Sequence, residues 1–247
     1  MQWIMAITEL DAIEIRQSRR SYLDIPLENE KVQKIQHYIN TYNTRGHLSI
    51  QFIEDGREAF QGFTLGYGLF SGVRGYLALV GKTSDPFLQE KVGYYGERII
   101  LKLTKLGLGT CWVGGTFARS RCPAVVLEDE TLIALITIGN VSRIRGPKEQ
   151  NIYKLIHRHT KDFDRLYRSD SDVPGWFLIG LKAIQKAPSS MHKQPVHLQM
   201  NKSIVMASVK NYNSHQAIDL GIAKLHFEIS AGGKFAFGNN AVFTKNR

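Results

Sequence analysis

Ala187-Pro188-Ser189-Ser190-Met191-His192-Lys193-Gln194-Pro195 is the most specific stretch of this chain. Small hydroxyl residues, an imidazole and an amide stand between two prolines, which suits a turn, although the order of residue types is unusual for one. The flanks set its context. Gly175 to Lys186 has the spacing of a helix, and Val196 to Met200 and Ile204 to Val209 have the composition of strands. A helix from Gln216 to Ala231 follows, with Ile218, Ile222, Leu225 and Ile229 in phase.

The same succession stands earlier in the chain. Thr8-Glu9-Leu10-Asp11 has the form of a helix start, so a short helix is expected up to about Arg16. Pro26 then precedes a helix from Asn29 to Asn40, with Val32, Ile35 and Ile39 on one face. Leu48, Ile50 and Phe52 alternate as a strand, and Tyr76 to Val80 reads as another after the Gly-rich passage Gly66 to Gly75. Pro86 to Leu106 predicts a long helix striped by Leu88, Val92, Tyr95, Ile99 and Leu103; Gly93 and Gly96 thin one side of it, which suggests a close approach by another backbone or helix. Leu132 to Ile138 is almost continuously apolar, as in a strand buried on both faces. Helix, loop, strand, strand and long helix thus occur twice. Two copies of one α+β unit is the economical expectation, with chance similarity of element order as the alternative. The composition turns basic and polar from Ser142, and the boundary is placed at Gly146-Pro147, giving units 1–146 and 147–247.

Bulk properties exclude other classes. The 247 residues are 43% hydrophobic and 22% charged, which rules out a disordered, collagenous or disulfide-scaffold chain. Cys111 and Cys122 form no CxxC pair and have no His cluster nearby, so neither zinc nor a disulfide framework is indicated. The first ten residues lack a basic leader, and no apolar run approaches the roughly 20 residues of a membrane span. A reducing, cytoplasmic setting is expected. The net charge of +10 favours an anionic partner or a phosphorylated ligand. The basic stretch from Arg143 to Arg168 is interrupted by acids and carries no RRM-like or zinc-finger pattern, which argues against a nucleic-acid surface.

Two further segments carry candidate chemistry. Arg16-x-Ser18-x-Arg20 offers two guanidinium forks and a hydroxyl, a set able to grip a phosphate dianion; the same residues also suit a solvated basic helix end. Gly107-Leu108-Gly109 and Gly114-Gly115 follow a helix and precede a strand, the reverse of a Rossmann loop. They predict a loop exposing backbone N–H groups, with Gly107 also suited to capping the helix and Gly114-Gly115 leaving room beside Trp112 for something flat. Cys111 and His226 read as packing residues. Tyr67, Phe70 and Tyr95 suit either a substrate face or the core.

Taken together, the Arg16–Arg20 segment, the passage from Gly107 to Trp112-Val113-Gly114-Gly115, and the Ala187–Pro195 segment resemble the three signature segments of the FMN-dependent nitroreductase family. In ordinary members the Ala-Pro-Ser segment follows soon after the Arg-rich one, and each flavin site is built across a homodimer interface. Here the Ala-Pro-Ser segment sits in the second unit, the first has Thr41 to His47 in its place, and the second lacks an Arg-x-Ser-x-Arg. The chain therefore resembles the branch in which both subunits are fused in tandem. The resemblance implies an α+β, nitroreductase-like fold, an antiparallel sheet flanked by helices, with two halves forming an intramolecular pseudo-dimer that keeps one site and is able to exist as a monomer. It implies FMN as cofactor and NADH or NADPH as donor, in a ping-pong hydride transfer to a small acceptor such as a nitroaromatic or quinone. An FMN-binding sensor or carrier without nicotinamide turnover is the alternative. Arg16, Gln17 and Ser18 would hold the phosphate and Arg20 would lie toward the flavin N1/O2 edge, with Arg143 and Arg145 as further cations. Gly114 and Gly115 would face N5/O4. Pro188, Ser189, Ser190 and His192 would close the site from the second half. His192 stands where the family usually has Asn, and Val196 where it usually has Trp, a change that loosens or widens the site.

Overall fold

A computed structural model describes residues 7–61, 69–156 and 159–246; Gly66, Tyr67 and Gly68 of the Gly-rich passage lie outside them. The Thr8 hydroxyl accepts the Asp11 N–H at 3.1 Å and the Asp11 carboxylate accepts the Thr8 N–H at 2.8 Å, a capping box that starts α1 (Glu9–Ile15). α2 (Asn29–Gly46) continues past the expected end at Asn40 because Tyr42 keeps the buried face going after Ile39; it stops at His47, in the left-handed region at φ 53°. Thr41–Gly46 is therefore helix, and only residues 47–50 link it to the first strand. Then come β1 (Gln51–Ile53), β2 (Gly75–Lys82), α3 (Leu88–Lys105), β3 (Gly109–Val113) and β4 (Glu130–Gly139). The expected loop at Cys111–Val113 is strand β3, which pairs with β4 from Gly109↔Gly139 to Val113↔Leu135.

The later elements are α4 (Pro147–Ile156), β5 (Tyr167–Ser169), α5 (Gly175–Lys186), β6 (His197–Asn201), β7 (Ile204–Ser208), α6 (His215–Ala231), β8 (Gly233–Phe235) and β9 (Ala241–Lys245). β5 and β8, of three residues each, are too short to show a period in the sequence, and β9 buries only Phe243. The strands form two sheets, β1-β2-β4-β3 and β5-β6-β7-β9-β8, antiparallel throughout except where β5 runs parallel to β6. Setting β5 aside, each sheet takes its four strands in the order first, second, fourth, third, with a long helix between the second and third.

Those two long helices, α3 and α6, cross at the centre. Leu88, Val92, Tyr95, Ile99 and Leu103 are buried as their spacing implies. Gly93 and Gly221 are where the backbones touch: a Cβ on Gly93 would run into the Ile218 carbonyl oxygen, and a Cβ on Gly221 into the Glu90 carbonyl oxygen. The contact is reciprocal, since each glycine meets the residue three positions before the other. Gly96 makes room for the Trp112 ring instead. Buried polar bonds tie the same helices: Lys224 Nζ donates to Glu90 at 2.6 Å, His226 Nε2 lies 3.0 Å from Glu97, and Tyr94 donates to Glu228 at 2.5 Å.

Gly221→Ala is expected to lower stability by roughly 2 kcal/mol or more, because the methyl group has to displace the backbone of α3. Gly115→Ala, whose methyl would meet nothing within 4 Å, should leave the denaturation midpoint in place. Equal midpoints for Gly221→Ala and the unmodified protein would contradict this account of the crossing.

Candidate functional site

After α1 the chain becomes extended. Arg19 N–H donates to the Thr110 carbonyl at 2.8 Å and Ser18 and Thr110 form a parallel bridge, so the stretch meets the free edge of β3, before Ser21 bridges to Ser71. Alternation along this stretch sends neighbouring side chains opposite ways. Ser18 and Arg20 line a cavity of about 280 Å³, whereas Arg19 between them turns to Glu149. Arg19 grips that carboxylate with Nε at 3.0 Å and Nη2 at 3.1 Å, and Glu149 also accepts the Arg20 N–H at 2.5 Å. Burial pushes the Glu149 carboxyl up, but the Arg19 and backbone bonds outweigh it and hold the group below the ordinary range. α4 is thereby fastened to the Arg-rich segment.

Arg16 stands behind the cavity lining, ion-paired through Nε with Glu97 at 3.5 Å. Glu97 is fully buried and also accepts the Trp112 indole N–H at 2.9 Å. Burial raises its affinity for a proton, yet the bond from His226 and the charge of Arg16 win and keep it low. Among the described residues, Arg20 Nη1 is buried with no hydrogen-bond acceptor, while Arg16 Nε has only the Glu97 carboxylate at 3.5 Å. A buried guanidinium nitrogen left without an acceptor is costly, and an anionic ligand would provide one.

Trp112, Gly114 and Gly115 form one wall. Among the described residues neither glycine has a left-handed backbone, and a Cβ on Gly114 would come no closer than 3.8 Å to His215. Neither packing nor conformation requires glycine there, so the space beside Trp112 is open. The opposite wall is the turn after α5, where Pro188, Ser189, Ser190 and His192 all line the cavity. Met191, His192 and Gln194 adopt φ of 50°, 53° and 45°, a conformation that needs external support. Gln194 supplies it: its backbone N–H donates to Ser189 Oγ at 2.9 Å, its side-chain oxygen accepts the Lys161 N–H at 2.8 Å, and its amide donates to the Gln185 carbonyl at 3.1 Å. His192 lies 3.3 Å from Thr160 Oγ1, and burial, with the Arg16 charge nearby, lowers its proton affinity.

The sequence-derived set thus divides. Ser18, Arg20, Gly114, Gly115, Pro188, Ser189, Ser190 and His192 meet around one cavity. Arg16 is next to it, Gln17 and Arg143 are exposed, and Arg145 stacks on Tyr153 at 3.8 Å. Val196 lies in the second core rather than on the cavity wall. Cys111 is buried with its thiol pushed up by burial, which suits packing rather than nucleophilic work. His226 is a packing residue bonded to Glu97 and the Ala183 carbonyl. Phe70 borders the cavity and Tyr95 belongs to the core.

Sequence reasoning missed what α6 contributes. Ile218 and Ile222 turn to the cavity from the apolar stripe, and Asp219 lies beside them. Asp219 accepts the Ser190 N–H at 3.1 Å, and burial raises its pKa to about 6 against the opposing pull of that bond and of Lys193. The arrangement suits a flat ligand carrying an anionic group. Among the described residues no cluster of His, Cys, Asp and Glu could hold a metal, and no helix is long and apolar enough to cross a membrane.

An α+β chain with two such sheets, a central helix pair and a cavity between basic, Gly-rich and Ala-Pro-Ser segments is of the nitroreductase-like class. Its fold is similar to the crystal structure of a putative nitroreductase from Thermotoga maritima, with a TM-score of 0.63 and 19% identity over 98% of this chain and 95% of that one. An FMN-dependent nitroreductase from Clostridium difficile aligns with 54% of this chain and 88% of its own (TM-score 0.43, 17% identity). A Bacteroides fragilis nitroreductase with bound FMN aligns with 56% and 90% (TM-score 0.41, 14% identity). No curated protein sequence matches the chain. A family model described as "Putative TM nitroreductase" matches residues 8–231, and the chain belongs to that family.

The folded state holds the Asp219 proton more tightly than the unfolded chain does, so the ionised carboxylate costs stability above about pH 6 and the cost fades as pH falls toward 4. Asp219→Asn keeps an acceptor for Ser190. It is expected to add up to about 2–3 kcal/mol at pH 8 and little at pH 4, measured by urea unfolding at both. An equal change at the two pH values would contradict the assignment.

Proposed function

We propose that the protein is an FMN-dependent oxidoreductase that takes electrons from NADH or NADPH and passes them to a nitroaromatic, quinone or similar small acceptor. The observation that carries this reading is the convergence of three distant segments, Ser18 to Arg20, Trp112 to Gly115 and Pro188 to His192, on one cavity. Arg20, which lines it, keeps a buried guanidinium nitrogen without an acceptor among the described residues. Membership of a nitroreductase family supports it.

FMN, when bound, supplies two-electron hydride chemistry to a protein that has no metal cluster among its described residues. Ser18 and the Arg16 guanidinium would hold the phosphate, with Gln17 in the same segment and Arg143 and Arg145 as outlying cations. Arg20 would place positive charge where the ring gains negative charge on reduction. Gly114 and Gly115 offer backbone N–H groups at close approach, and Trp112, Ile218 and Ile222 keep water from the ring. Pro188, Ser189, Ser190 and His192 complete the enclosure. Glu149 and Glu97 orient the arginines without touching the ligand.

The two-half organisation belongs to the same proposal. Residues 1–146 and 147–247 correspond to two subunits of a dimer fused in one chain. The shared strand order and the reciprocal Gly93–Gly221 crossing support this, because a two-fold interface pairs residue i with j and j with i. With that interface internal, the chain is able to work as a monomer. Both cysteines are free, which fits a reducing cytoplasm.

The purified protein is expected to bind FMN, detected by its visible absorption, and to lose that colour on anaerobic addition of NADH or NADPH. Arg20→Ala should weaken FMN binding by roughly 10–100-fold through loss of a charge-assisted hydrogen bond. Unchanged affinity in Arg20→Ala would remove Arg20 from the site. A yellow protein that neither nicotinamide bleaches would select the sensor or carrier function, toward which the imidazole of His192 in place of an amide points.

A further inference from the structure

Gly93 and Gly221 mark equivalent turns of α3 and α6, and counting from them pairs Phe87, Glu90, Lys91 and Tyr94 with His215, Ile218, Asp219 and Ile222. The second group of four is what α6 gives to the cavity. The loops after the third strand of each sheet come back over these helices in the same way: a Cβ on Gly114 would stand 3.8 Å from His215, and one on Gly238 would stand 3.4 Å from Phe87. The α3 side of the crossing therefore holds a twin of the cavity's position.

We infer that this twin position is a second aromatic-binding site built shut by Phe237, which occupies it with the chain's own ring. The inference rests on the two-half organisation proposed above. Phe237 packs edge-on against Tyr94 with centroids 5.5 Å apart and planes at 80°, lies 6.2 Å from Tyr95, and has Lys91 Nζ 5.9 Å from its centroid. Two aromatic neighbours and a cation are what a flat ring binds to in a recognition site.

The loop that carries Phe237 is fixed by charges. Glu90, standing where the cavity side has Ile218, accepts the Gly238 N–H at 2.8 Å, the Tyr212 hydroxyl at 2.6 Å and the Lys224 ammonium at 2.6 Å. Lys224 donates further to the Ala236 carbonyl at 3.0 Å and the Gly238 carbonyl at 2.8 Å. Both charged groups are buried, so opening the loop would leave Glu90 and Lys224 without these partners. The remaining walls are also missing. The four residues 47–50 stand where the cavity side has the ten residues 187–196, so no counterpart of the Pro188–His192 turn reaches the twin. One end of the crossing is thereby open to a ligand and the other is filled.

Two measurements test the inference. Titration of the full-length protein with FMN should saturate at one molecule per chain; two per chain would overturn it. Phe237→Ala should lower the melting temperature and open a cleft half-exposed at the surface. Saturating indole should then raise that temperature by roughly 2–4 °C while leaving the unmodified protein unmoved. A crystal structure of the variant soaked with indole should show it against Tyr94, Tyr95 and Lys91. Indole bound elsewhere, or no gain in melting temperature, would overturn the inference. If Phe237→Ala fails to fold, Phe237→Leu makes the same comparison with a smaller cleft. If the unmodified protein takes no FMN at all, the flavin assignment fails, while the indole experiment still decides the nature of the twin position.

Discussion

The backbone crossing of α3 and α6 is the constraint on which the rest depends. Gly93 and Gly221 let the two helices approach until each meets a carbonyl oxygen of the other, a distance no side chain permits. At that separation the flanking polar residues lose their water, and the acids of α3 at the crossing find their partners on the opposite helix. Glu90 finds Lys224, and Glu97 finds His226. Breaking one partner of such a pair leaves an uncompensated charge, a loss of about 3–5 kcal/mol, so the pairs fix the register of the helices more than they add to net stability.

From that register the cavity follows. Glu97 lies under it and reaches Trp112 and Arg16, so the position of the Gly-rich wall and of the first arginine are set by one carboxylate. Glu149 does the same for the opposite flank of the Arg-rich segment, drawing Arg19 inward so that Ser18 and Arg20 face the cavity. α6 contributes from its first two turns, and Asp219 ties the strained turn at Ser190 to that helix. Each wall is held by a buried acid, which is how a site made from three distant segments is kept in shape.

Much of this was legible in the sequence, for identifiable reasons. The helices at Asn29, Leu88, Gly175 and His215 announce themselves by apolar periodicity, and Gly93 within such a stripe announces a close neighbour. Ser18 and Arg20 share the cavity side because the segment is extended there, whereas Arg16, at the end of α1, stands behind the lining against Glu97. The partners of Arg16 and Arg19 were not legible: Glu97 and Glu149 are 81 and 130 positions away and look like any helix-surface acids until the chain folds. Asp219 was hidden inside an apolar stripe, β5 and β8 are too short to carry a pattern, and β9 buries a single side chain, Phe243. Phe237 read as nothing in particular, since its meaning comes only from the symmetry of the crossing.

The most direct measurement is a crystal structure of the full-length protein grown with FMN. The account predicts the ring between the Trp112–Gly115 wall and the Pro188–His192 turn, with its phosphate on Ser18 and the Arg16 side chain and its N1/O2 edge toward Arg20. Density for the ligand elsewhere, or a phosphate bound away from Ser18 and Arg16, would contradict it.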